Sequence, residues 1–262
     1  MPGLVVHNRM GDRVIAQLDP EISAVIDRDI FRFAVMGSDP YLFYRFFFRK
    51  IRRRVCVRQA AMHKTKTGLF LTELAKVSQS DRMFSALAGF LCHYSLDSTT
   101  HPYVNAKARK RPGYHTAIEV KLENMELSRQ GKQRKEIMDL FAFYPELPEL
   151  EQVIKKVYGW DDVLLGESYR WMKLYHWIVK DQHGILNALL GRRGGKYAAL
   201  SYANHMCDDM DLSGFASLED EAVDMGVRLI TAAYNYRSGF IREDELRAVI
   251  GNRSHSGGEA KG

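Results

Sequence analysis

Cysteine is scarce in this chain. The three residues, Cys56, Cys92 and Cys207, are odd in number and form no C-x-x-C, which argues against a disulfide framework and for buried free thiols. Long apolar runs are missing too, and nothing approaches the roughly 18 residues that a membrane-crossing helix needs. The opening MPGLVVHNRMGDR lacks a basic stretch followed by an apolar one, so no secretory signal is read and a cytoplasmic location is expected. No series of short period-2 segments lines up between turns, which leaves little for a sheet. There is no internal repeat and no clear linker. Neither sign of charge dominates strongly: the net charge of +6 permits attraction to phosphates or an anionic membrane without demonstrating it.

What remains is helical periodicity. Apolar residues recur at three-to-four spacing over 10–18, 21–35, 68–77, 81–97, 115–129, 133–143, 149–158, 161–179, 182–190, 195–205, 217–235 and 240–250. GSDP at 37–40 breaks the pattern, as Gly and Pro do. Asp81 is a plausible N-cap. GRRGG at 191–195 reads as a flexible break. The expected fold is all-α: a single-domain multi-helix bundle over 1–250, with a metal cluster in a cleft between helices and a disordered tail at 251–262.

The metal enters through HYSLDSTTHPYVNAKARKRPGYHTAIE, residues 93–119. His93 and Asp97 are four apart, as are His115 and Glu119, and on a helix such pairs share a face. His101 follows Asp97 by four, but Pro102 is expected to end the helix there and turn His101 towards a different ion. Upstream lie His7, Asp39 in the GSDP turn and His63 in AAMHKTKTG. A single His–acid pair is often only a hydrogen bond; two such pairs with a third histidine between them point to metal. Imidazole with carboxylate is a ligand mix of hydrolytic zinc, although iron or manganese also suits it. A metal held by three protein ligands keeps a position for water and lowers that water's pKa from 15.7 towards roughly 7.

The segments GFLCHYSLDSTTHPY, AAMHKTKTGLF and YHTAIE resemble the zinc-dependent phospholipase C family, whose logic is shared by the fungal zinc-dependent single-strand nucleases. The resemblance covers about residues 1–125. It implies two or three Zn2+ ions. The first would be held by Asp39, His63, His93 and Asp97, and the second by His101, His115 and Glu119. The third would use His7, with Asp97 bridging. In the best-known relatives an N-terminal tryptophan completes the third site; this chain begins Met1-Pro2 and has no tryptophan before Trp160.

The expected activity is metal-dependent hydrolysis of a phosphodiester, with Asp39 as general base or bridging carboxylate. The substrate is a phosphate ester, with phospholipid ahead of nucleic acid. Nuclease action and a metal-stabilised binding protein without turnover are the alternatives. Glu123 is a candidate to orient a ligand from behind. YLFYRFFFRKIRRRVCVRQ, residues 41–59, reads as core aromatics with arginines at the surface, as the mouth of the cleft, or as a membrane-interface segment. Arg52, Arg53 and Arg54 are its candidate substrate contacts, and Arg109, Lys110 and Arg111 add to the same field.

Overall fold

The computed structural model describes residues 3–180, 185, 206–255 and 258–261. Among these it contains eleven α-helices, two 3-10 turns and no β-strand, only isolated bridges. The order is α1 Leu4–Gln17, α2 Pro20–Ala24, α3 Arg28–Ala34, α4 Arg49–Lys64, α5 Thr67–Val77, α6 Asp81–Ala108, α7 Tyr114–Arg129, α8 Pro148–Tyr158, α9 Leu165–Val179, α10 Phe215–Arg237 and α11 Glu243–Ile250. The 3-10 turns span Asp39–Leu42 and Arg134–Leu140. The helices expected over 182–190 and 195–205, and the break at 191–195, lie outside the described residues apart from residue 185. No described helix is long and apolar enough to cross a membrane.

The amphipathic helices bury the faces their spacing dictates. In α8 the buried residues are Leu150, Val153, Ile154 and Val157, one stripe at i, i+3, i+4 and i+7, with Pro148 in the first turn, where its missing N–H costs nothing. α6 differs, because every residue from Met83 to Ser98 is buried. It is the axis of the domain, packed chiefly between α3 and α10. Gly89 permits this: a Cβ there would stand 2.6 Å from Ala34 Cβ and 2.7 Å from Phe31 O.

Several expectations change. The helix expected over 21–35 is broken into α2 and α3, each capped by an aspartate: Asp19 accepts from Glu21 N–H, and Asp27 from Asp29 and Ile30 N–H. The cap of α6 is Ser80, whose hydroxyl accepts from Met83 N–H, rather than Asp81. Pro102 does not end α6, which runs on to Ala108. The proline lies on the exposed side, while Thr100, His101 and Val104 around it are buried, so packing outweighs the lost backbone bond. His93, Asp97 and His101 therefore lie on one helical face. The stretch 133–143 holds only a 3-10 turn, and residues 49–64 form α4, a helix the periodicity did not reveal.

The tail also differs from the disordered segment expected at 251–262. Ser254, His255 and Ala260 are buried, and Lys66 N–H to Lys261 O (2.8 Å) and Lys261 N–H to Lys64 O (2.9 Å) stitch the chain end to the close of α4. Cys92 and Cys207 are buried free thiols as expected, whereas Cys56 is half-buried.

Candidate metal centre

Five elements converge on one interior point. α1 brings His7, the turn after α3 brings Asp39, α4 ends with His63, α6 contributes His93, Asp97 and His101, and α7 adds His115 and Glu119. Asp97 stands in the middle. Its Oδ1 lies 3.5 Å from His7 Nε2, and its Oδ2 lies 3.4, 3.8 and 3.6 Å from His93 Nε2, His63 Nδ1 and His101 Nδ1. Asp39 is 3.9 Å from His7, 3.4 Å from His63 and 3.8 Å from His93. His115 Nε2 meets Glu119 Oε1 at 2.7 Å, with His101 Nε2 at 4.0 Å from the same oxygen.

Three groups of donor atoms are close enough to share an ion: His63, His93, Asp97 and His255; His7, Asp39 and His93; and His101, His115 and Glu119. The last is the set implied by the sequence resemblance. The other two redistribute the expected ligands, with Asp39 grouped with His7 and His93 instead of with His63 and Asp97. All eight expected residues are brought together. The centre is deep: Asp97 is fully buried, whereas Glu119 is 14% and His115 36% exposed, so the cluster opens at the α7 side.

The donor set fits metal for two reasons. The first is how the imidazoles are held. His93 Nδ1 is 3.2 Å from Val35 O, His101 Nδ1 2.8 Å from His255 O, and His115 Nδ1 3.1 Å from Asn105 Oδ1. In each, Nδ1–H donates outward and Nε2 faces the shared interior, the second-shell arrangement typical of metal-bound histidine. The second is electrostatic. Both oxygens of Asp97 are buried without a hydrogen-bond partner, and Asp39 is equally buried with the Gln59 side chain beside it. Burial raises Asp39 to about 6, and burial together with Asp39 raises Asp97 well above the usual carboxylate range. Burial lowers His63 to about 3 and His93 to about 4, so at neutral pH both rings are uncharged; His63 Nδ1 lies 2.9 Å from Gln59 Nε2, and its Nε2 lies 3.2 Å from His93 Nε2. Two neighbouring buried carboxylates among neutral imidazoles are costly to ionise, and a bound cation would offset that cost.

Gly37 sets the entry of this loop. Its φ of +52° lies in the left-handed region, and a Cβ there would stand 2.3 Å from the His93 ring. Gly37→Ala is expected to cost at least about 1–2 kcal/mol of stability and to push His93 off its donor position. Thermal unfolding read with metal content checks this, both falling together.

Other expectations move. Arg52, Arg53 and Arg54 are exposed near the start of α4, and Arg52 Nε donates to Leu42 O. At 1.5 Å per residue they stand roughly 14–17 Å along the helix axis from His63, so the structure does not bring them to the cluster. Arg109, Lys110 and Arg111 fare better, since they form the turn just before α7 and His115. Glu123 is not beside the ligands. Its Oε1 accepts Val5 N–H at 3.1 Å and its Oε2 pairs with Arg134 at 3.2 Å, so it reaches the centre only by holding the first turn of α1, which carries His7. Glu123→Gln should lower stability by roughly 1–3 kcal/mol yet leave the metal content of the folded protein unchanged, as denaturant melts and elemental analysis will read.

His255 is the residue that sequence reasoning missed. Glu259 stands four residues away, but in a polar, glycine-rich segment without helical periodicity that spacing gives no shared face, and the role of His255 comes only from the tail folding back. His176 is a core residue, bonded to Met172 O at 2.9 Å, while His183 and His205 lie outside the described residues.

A family model described as zinc dependent phospholipase C matches residues 7–171. The chain belongs to that family. The match spans well over half the chain and contains all eight ligands expected from sequence, from His7 to Glu119; it stops before α10 and the tail. No curated protein and no solved structure matched the chain. Family membership brings zinc dependence and hydrolase character as the coarse reading, in keeping with the His/Asp groups able to hold metal.

Proposed function

We propose that this chain is a metal-dependent phosphoric-ester hydrolase that uses zinc to cleave a phosphodiester of phospholipid type. The observation that carries the reading is the set of outward-tethered imidazoles around the buried Asp39 and Asp97, continuous with a more open His101, His115 and Glu119 group. Zinc held there supplies Lewis-acid polarisation of a phosphoryl oxygen and activates water.

The chain's own residues do the rest. Asp97, within 4 Å of His7, His63, His93 and His101, lies between the deep ligands and the open group. Asp39, buried beside His7, His63 and His93, is the proposed general base or ligand of the cluster. Asn105 holds the His115 ring at the mouth. Arg109, Lys110 and Arg111 supply positive charge at the approach, where an anionic phosphate is drawn in; the Arg111 guanidinium lies 3.6 Å over the Tyr114 ring. They take over the substrate-binding role first given to Arg52–Arg54.

Lipid is placed ahead of nucleic acid because the family description names a phospholipase; the exposed Phe47 and Phe48 beside Arg45, Arg49 and Lys50 would suit a membrane interface and base stacking alike. The test is hydrolysis by zinc-loaded protein of phosphatidylcholine vesicles and of single-stranded DNA, with a chromogenic phosphodiester as the general probe. Turnover of the lipid and the chromogenic ester, abolished by chelation, supports the reading. Turnover of DNA alone would make the chain a nuclease, and no turnover of any of them by fully loaded protein would leave a metal-stabilised binding protein.

A further inference from the structure

The last segment of the chain enters the metal centre. His255 is 6% exposed and lies beyond the family match, which ends at residue 171. Its ring packs edge-on against His63 at 4.2 Å between centroids and faces His93 and Tyr94, each at 5.4 Å. Neither ring nitrogen has a hydrogen-bond partner. One of them lies within 4.8 Å of donor atoms of His63, His93 and Asp97. A purely structural histidine buried so deeply would find a partner for at least one nitrogen. Among the described residues, the donor atoms grouped with it are those of His63, His93 and Asp97.

The backbone fixes that orientation from both sides. His255 N–H donates to His63 O at 2.8 Å, and His255 O accepts from His101 Nδ1 at 2.8 Å. Around it, Ser254 Oγ donates to His63 O at 3.1 Å, Ser254 N–H to Gly258 O at 2.8 Å, and Gly68 N–H to Asn252 Oδ1 at 3.1 Å. The tail thus bonds to the main chain of one expected ligand and to the ring of another.

We propose that His255 is a metal ligand, completing with His63, His93 and Asp97 a four-donor site for zinc or a similar divalent ion, so that docking of the C-terminal segment and filling of this site are one equilibrium. The proposal rests on the metal-centre reading above. Four protein donors are the full complement of a closed, structural zinc, whereas His101, His115 and Glu119 leave a position open. The chain therefore divides its ligands between a deep ion that fastens the tail and a shallow one left free for chemistry. Because metal-binding energy becomes folding energy for whatever segment supplies the ligand, the tail should be ordered by metal.

The experiment uses the full-length chain, stripped and then reloaded with zinc. Its readouts are metal content, metal retention against a competing chelator, and the rate of tryptic cleavage after the exposed Arg253, followed by intact mass. Wild-type protein should be cleaved at least about tenfold more slowly with zinc than without it. His255→Gln should hold one ion at least about tenfold more weakly, since even outer-shell changes at metal sites cost roughly 10–100-fold, and should be cleaved at the same rate with and without zinc. His255→Cys, which restores a zinc donor, should recover much of the retention and protection. Circular dichroism establishes that each variant is folded. The proposal is overturned if wild type binds zinc while His255→Gln retains it equally well, or if zinc leaves cleavage at Arg253 unchanged in wild type. Wild-type protein that binds no zinc at all would overturn the metal-centre reading as well.

Discussion

Stripping the protein of metal is expected to lower its melting temperature by roughly 8–16 °C for each site held at a thousandfold excess over its dissociation constant. Such an excess contributes about 4 kcal/mol, and a domain of this size loses roughly 2–4 °C per kcal/mol. The effect is large because the ligands come from α1, the turn after α3, α4, α6, α7 and the tail, so the ions cross-link nearly every layer. pH adds a direction. Burial raises Asp39 to about 6, and burial with the neighbouring Asp39 raises Asp97 well above the usual carboxylate range, so in stripped protein their contribution to folding is present at acid pH and is lost as pH rises through the raised values, for Asp39 about 6. His63 and His93 are shifted down, so their contribution is present above about 6.5 and is lost as pH falls towards 3–4. Metal replaces the missing positive charge at high pH and must compete with protons at low pH. The gap between loaded and stripped melting temperatures should therefore widen from pH 5.5 to pH 7.5. A gap that is absent, or that closes as pH rises, would contradict this.

Asp97→Asn should separate the cost of the buried charge from its use. The amide keeps the size of the carboxylate but removes the charge, and an amide oxygen is a poor bridge between dications. Stripped Asp97→Asn protein should be at least as stable as stripped wild type, because an uncompensated buried carboxylate has gone. Loaded, it should gain much less from zinc. It should lose metal from the groups built on His7, His63, His93 and His255, yet retain it at His101, His115 and Glu119. Hydrolysis should fall by at least about a hundredfold, beyond the upper end of outer-shell losses. Metal titration, melting and phosphodiester turnover on the same preparation test all three points. Full metal content with near-normal activity would mean that the central carboxylate has been misassigned.

His93, Asp97, His115 and Glu119 were legible because helical spacing is a local signal: four residues bring His93 to Asp97 and His115 to Glu119 whatever the rest of the chain does, whereas His7, Asp39 and His63 carry no such spacing and were reached through the family resemblance. Long, strongly periodic helices such as α5, α7 and α8 were legible for the same reason. What failed depended on distant contacts. Pro102 reads as a helix end, yet the packing of α6 between α3 and α10 carries the helix through it and keeps His101 on the ligand face. α4 was hidden by a run of arginines on its exposed side, which masks the apolar stripe marked by Val55 and Met62. The tail, polar and glycine-rich, reads as disordered, because nothing in its composition reveals the carbonyls and amides of residues 63–66 to which it bonds. His255 was invisible for that reason. The arginines at 52–54 were misjudged because nearness in sequence to His63 was taken for nearness in space, whereas a helix separates them by more than two turns.

The central claim is that these side chains hold metal, and elemental analysis of freshly purified protein tests it most directly. The account predicts at least two transition-metal ions per chain, zinc foremost, from three groups of donors. Less than one ion per chain, persisting after zinc reconstitution at neutral pH, would contradict it.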